Sequence, residues 1–297
     1  GDAFRTGTHK AMIFEYLKIK GWHNQKVHYY GHTRSWSQMG SAVSAALAAI
    51  VVFITRDYQM VFLFSVIPYL IDLILMTTYP KMLDGQRRAL KAGDVAANFR
   101  HTISDFVASI RRKAVLQAIL TQAVYTGYYK AVRDYVQPVI KTFALSLPVF
   151  LWLDDKQRAS IMVGVVFSVI YFLTSFTARR AGRFAERFQT LSHPLNITML
   201  VGLVAGFVSG LLYHWGWLAG AVVFYMAIYL VENLRKPIGI SIVAERLDKD
   251  ILATALSAES QAETLFAALL APVIGFVADQ WGIAVPIPVG SAGLDML

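Results

Sequence analysis

Long apolar runs recur along this chain, at about 38–54, 59–79, 114–129, 159–178, 195–213, 217–231 and 264–278, and the connectors between them alternate between basic and nearly neutral. A helix needs roughly 20 residues, mostly apolar, to cross the hydrocarbon core of a bilayer, and lipid admits only structures that satisfy their own backbone hydrogen bonds. The runs therefore predict a helical chain that threads a membrane repeatedly. The connectors at 18–34, 81–113, 179–194 and 235–250 hold 4, 8, 4 and 4 Lys/Arg, whereas those at 55–58, 152–158, 214–216 and 279–282 hold 1, 2, 0 and 0. Basic linkers stay on the cytoplasmic side. The expected protein is multi-pass, in the cell (inner) membrane, with its basic loops in the cytoplasm.

Composition excludes other classes. A hydrophobic content of 56% exceeds the roughly 45–50% of soluble domains, and mean hydropathy is +0.48. The net charge of +9 is spread beside the spans, not gathered in one patch. That points to anionic lipid headgroups, and no nucleic-acid partner is expected. Without cysteine the chain offers neither a disulfide nor a thiolate metal site. His23, His28 and His32 lack a matching His or carboxylate cluster, so no metal is expected, nor any other cofactor.

The longest polar stretch divides the chain into 1–80, a linker at 81–112 and 113–297. Within the linker, Val95, Phe99, Ile103, Phe106 and Ile110 form an apolar stripe, predicting a helix that lies in the membrane interface or docks on the protein's own cytoplasmic face. Span 38–54 opens with Gly40, Ser41, Ser44, Ala45 and Ala48, a spacing that lets helix backbones approach closely. Residues 1–17 read as the end of a span, and 283–297 as the start of another.

Three stretches carry a family likeness. Gly1 to Leu17, with Thr6-Gly7-Thr8 and Glu15, resembles the fourth helix of the major facilitator superfamily of secondary transporters. Asn233-Leu234-Arg235-Lys236-Pro237-Ile238 resembles the cytoplasmic end of its tenth helix, and Ala253 to Gln261, with Ala271-Pro272 and Gly275 to Asp279, its eleventh. The resemblance implies an all-α polytopic membrane protein, a major-facilitator-like bundle in which about eight to nine of twelve helices are present. On that alignment 1–80 holds helices four to six, and 113–297 holds helices seven to eleven and the start of twelve. The family's arginine of proton-coupled antiporters falls at Ala3, with Arg5 displaced by two. Arg179-Arg180-Ala181-Gly182-Arg183 keeps the basic character of the family's loop signature without its Gly-x-x-x-Asp opening.

A transporter needs a polar site at mid-membrane, and charged or amide side chains inside spans are candidates because lipid burial is costly. In span 113–140, Gln122, Thr126, Tyr129, Arg133 and Gln137 share one helix face, flanked by Tyr125 and Lys130. They form the expected substrate-binding set, with Arg133 suited to a carboxylate or phosphate. The bland reading places 130–137 at the outer interface, with Lys130–Asp134 an ordinary helical pair. Asp72, Asp134 and Glu263 are the expected proton- or ion-coupling residues; Asp72 reads equally as a structural carboxyl. Glu263 and Glu259 share a face that lines an inner vestibule, although Glu259 also simply suits its helix dipole. Arg5, Glu15, Asn233 and Arg235, with Glu232, sit at helix ends as gating groups or topology anchors.

The expected function is secondary active transport of a small solute by alternating access, coupled to a proton or other ion, by a monomer and without enzymatic activity. No Gly-x-x-x-x-Gly-Lys-Ser/Thr loop is present to bind ATP. An intramembrane enzyme would need a clustered catalytic set, and a non-transporting scaffold or receptor remains the other alternative.

Overall fold

The computed structural model describes residues 2–78, 111–147, 149–247 and 249–280, with three more between 104 and 108. Among them are eight α-helices: α1 Asp2–Ile19, α2 Lys26–Thr55, α3 Gln59–Thr77, α4 Lys113–Ser146, α5 Asp155–Ala185, α6 Ser192–His214, α7 Leu218–Glu245 and α8 Lys249–Gln280. No strand occurs among the described residues. Six helices (α2, α3, α5, α6, α7 and α8) are long and apolar enough to cross a membrane. The chain is a multi-pass helical membrane protein.

Local chemistry sets the helix ends. The Asp154 carboxylate accepts from the Gln157 amide at 2.8 Å and caps α5. Arg56 closes α2 in the left-handed region, at φ 56°, and Asp57 Oδ1 accepts from Gln59 N at 2.9 Å as α3 begins. Between α6 and α7 the chain reverses at Gly216, φ 79°, a backbone conformation that suits glycine.

The helices overrun the apolar runs. Helix α2 starts at Lys26, not near 38; α5 continues to Ala185; α7 continues to Glu245, past the stop expected at Arg235; and α8 starts at Lys249, well before the run at 264–278. At about 1.5 Å per residue a 28-residue helix such as α7 exceeds the roughly 30 Å hydrocarbon core, and the apolar run at 217–231 covers only its N-terminal half. Arg34, Arg179, Arg180, Arg183, Arg235 and Lys236 are therefore helical, not linker residues. Helix α4, which holds the run at 114–129, is not among the six spanning candidates. The stripe Val95–Ile110 and the segment 283–297 lie outside the described residues.

Helix α2 packs along α5, α1 along α8, and α6 along α7, while α4 touches α5, α7 and α8. Helix α3 rests on α2 and buries no side chain. The α2–α5 seam is built from small and hydroxyl residues. Gly31 faces the Ala178 carbonyl at a distance no Cβ would tolerate, Ser35 bonds Ser175 at 2.9 Å, and Ser168 donates to Ala42 O at 3.1 Å. Without a hydrophobic driving force in lipid, close approach and such hydrogen bonds hold helices together. The seam uses Gly31, Ser35, Ala42 and Ala45, whereas Gly40 meets nothing within 4 Å.

Candidate functional site

A chain of buried polar groups runs through the centre of the bundle. Arg235 of α7, fully buried, donates from Nη1 to Gln122 Oε1 at 3.1 Å and from Nη2 to the Thr121 carbonyl at 2.7 Å, and its guanidinium lies 4.5 Å from the Tyr125 ring centre. Gln122 in turn donates to Thr126 Oγ1 at 3.1 Å, and Thr126 donates to Glu232 Oε1 at 3.1 Å. Lys236 stands one turn beyond Glu232 and reaches both Glu232, at 3.8 Å, and Glu263 of α8, at 3.4 Å. Glu263 also takes Lys130 of α4, at 2.9 Å. One turn earlier on α8, Glu259 pairs with Lys10 of α1 at 3.1 Å. Arg34 of α2 lies within electrostatic reach of Glu232.

The helices supply these groups in register. Glu232 and Lys236, and Glu259 and Glu263, are four apart and so lie on one face of α7 and α8 respectively. On α4, Gln122, Thr126 and Lys130 continue the same spacing. Gly127 of α4 lets α8 come close: a Cβ there would stand 2.9 Å from the Glu263 carbonyl. Gly239 does the same for Gln122, whose amide occupies the space a side chain would take. Gly202 of α6 similarly receives the Tyr125 hydroxyl. Glu232, Glu259, Glu263 and Lys10 are all buried.

Of the expected binding residues, the structure brings together Gln122, Tyr125, Thr126 and Lys130. Tyr129 packs edge-on to Tyr229 with ring centres 5.2 Å apart. Arg133 is exposed on α4. Arg5, Asp134 and Gln137 lie on described helices, but their side chains fall outside the described residues. Of the expected coupling residues, Glu263 is the hub of the cluster, whereas Asp72 is exposed on α3 and apart from it. Glu15 is half-buried on α1.

Two placements are corrected. Asn233 and Arg235 are not at a helix end: α7 runs on for ten residues beyond Arg235, both side chains are buried, and Asn233 Nδ2 donates to the Tyr229 carbonyl at 2.9 Å. Glu259 is not a first-turn acid, because α8 begins at Lys249 and the carboxylate has its own lysine. Sequence reasoning missed Lys10, Arg34 and Lys236. Glu232 and Lys236, opposite charges one turn apart on an apolar helix, were the available signal.

No known protein family, curated protein or solved structure matches the chain.

Proposed function

We propose that this chain works as a secondary active transporter of the major-facilitator kind, moving a small anionic solute by alternating access with coupling to a proton or other ion. The observation that carries the reading is the buried ion-pair cluster where α1 and α2 meet α4, α7 and α8. A membrane core built only for stability is apolar or sparsely polar, since a charge at a helix centre costs about 2.5–3.5 kcal/mol by insertion scales. Here five cations (Lys10, Arg34, Lys130, Arg235 and Lys236) surround three carboxylates (Glu232, Glu259 and Glu263) among the described residues. The excess positive charge favours an anionic solute, which could take over contacts the carboxylates now make. Lys10–Glu259 joins α1 to α8, so its exchange for a solute contact would couple binding to relative movement of these helices. In this reading the basic linkers face the cytoplasm, and Glu263 and Glu259 exchange the coupling proton.

The test is flux. The full chain, reconstituted in liposomes loaded with a pH-sensitive dye, is challenged with monocarboxylates, dicarboxylates and phosphate. One of these is expected to drive a pH change that Lys236→Gln abolishes. Folded protein that moves no proton and no labelled anion from this panel would overturn the proposal.

A further inference from the structure

Outside the buried cluster, a basic groove opens between α2 and α5. It encloses about 630 Å³ and is lined by His28 and His32 of α2 and by Phe176, Arg179, Arg180 and Arg183 of α5. The three arginines are exposed, and Arg180 lies over the Phe176 ring at 5.9 Å. The carboxylate that meets this group is Glu186, already engaged with His28 Nε2 at 2.7 Å. The groove's walls are fixed, because Ser35–Ser175 and Gly31 on Ala178 lock the seam beneath it.

Its outlook is away from the buried cluster. Trp36 continues the His28 and His32 face of α2 and is 64% exposed, while Arg34, on the opposite face, turns toward Glu232. Two exposed apolar stripes lead off from the groove: Val165, Val169 and Phe172 on α5, and Val43 and Leu47 on α2. A basic pocket at the head of an apolar trough matches a molecule with a phosphate at one end and hydrocarbon at the other.

We propose that this groove binds an anionic phospholipid, with the phosphate held by Arg179, Arg180, Arg183 and the His32 ring and the acyl chains along the two stripes. Guanidinium forks match phosphate oxygens in pairs. The site is independent of the transport reading, and free oxyanion binding is its competing source.

The experiment compares purified full chain supplied with phosphatidylglycerol, phosphatidylcholine or inorganic phosphate, reading thermal stability and, by native mass spectrometry, retained lipid. The expected result is stabilisation by phosphatidylglycerol alone, and its retention over phosphatidylcholine by at least about fivefold, the factor that corresponds to the roughly 1 kcal/mol one juxtamembrane cation contributes. The preference should be lost in Arg179→Gln/Arg183→Gln and kept in Arg111→Gln/Arg112→Gln. Equal retention of the two lipids by the wild type, stabilisation by inorganic phosphate matching that by phosphatidylglycerol, or an unchanged preference in the groove variant would each overturn the proposal. If the groove variant does not fold, the wild-type retention ratio decides alone.

Discussion

Lys10 Nζ stands 3.1 Å from Glu259 Oε2, and this buried pair ties the first helix to the last described one across 249 residues of chain. Both residues are buried, so each depends on the other for its charge to be tolerated. The pair also extends the Glu263 cluster by one helical turn toward α1.

Removing one partner should therefore be worse than removing both. Lys10→Ala leaves the Glu259 carboxylate buried without its cation and is expected to cost about 3–5 kcal/mol. Lys10→Met with Glu259→Gln should recover much of that loss. Thermal melting in detergent measures both, and a single variant that melts like the parent would show that the pair carries no weight.

Two glycines separate close packing from mere helix flexibility. A Cβ at Gly239 would collide with the Gln122 amide that holds Arg235, so Gly239→Ala should destabilise by about 1–3 kcal/mol. Gly40 meets nothing within 4 Å, and Gly40→Ala should be neutral or stabilise by up to about 1 kcal/mol. Melting temperatures that shift together would contradict this assignment of contacts.

The sequence made the helices legible and left the site half-hidden, for one physical reason. Apolar periodicity reports contact with lipid, so α3, which buries nothing, was fully readable. The stripe on α4 exposed Gln122, Thr126 and Lys130 because they repeat every four residues. Glu232, Arg235 and Lys236 instead lowered local hydropathy and, with Pro237 following, looked like the end of a span. The helix nonetheless continues, since a proline in a membrane helix is tolerated where neighbours satisfy the freed backbone groups. Lys10 and Arg34 gave no signal at all: their partners are Glu259 and Glu232, far away in sequence.

Thr126 relays between the amide and the carboxylate. Thr126→Val keeps the shape but deprives Glu232 Oε1 of its 3.1 Å donor and leaves the Gln122 amide group without its acceptor. A loss of about 1–3 kcal/mol is expected. Thr126→Ser, which keeps the hydroxyl, should restore most of it in the same melting experiment.

Under the proposed transport reading, two of the carboxyl candidates for ion coupling predict opposite outcomes. Glu263 is buried between Lys130 and Lys236, whereas Asp72 is exposed on α3. Glu263→Gln should abolish the dependence of solute flux on an imposed pH gradient; Asp72→Asn should leave it intact. The reverse pattern would move coupling to α3.

The absence of cysteine makes sidedness directly measurable. Single cysteines replacing Trp22 and Arg187 should react with an impermeant thiol reagent from one side of a sealed vesicle, and one replacing Trp215 from the other. Labelling of Arg187→Cys and Trp215→Cys from the same side would be incompatible with α6 crossing the bilayer.

The charges in the middle of α7 have a consequence for how the protein is made. Glu232, Arg235 and Lys236 would each cost about 2.5–3.5 kcal/mol if the helix were released singly into lipid. Their partners Thr126 and Gln122 are synthesised earlier, on α4, but Glu263 comes later, on α8. The order of synthesis therefore leaves Lys236 with Glu232 of its own helix until α8 brings Glu263, so the charge network of this region is complete only when three helices are present.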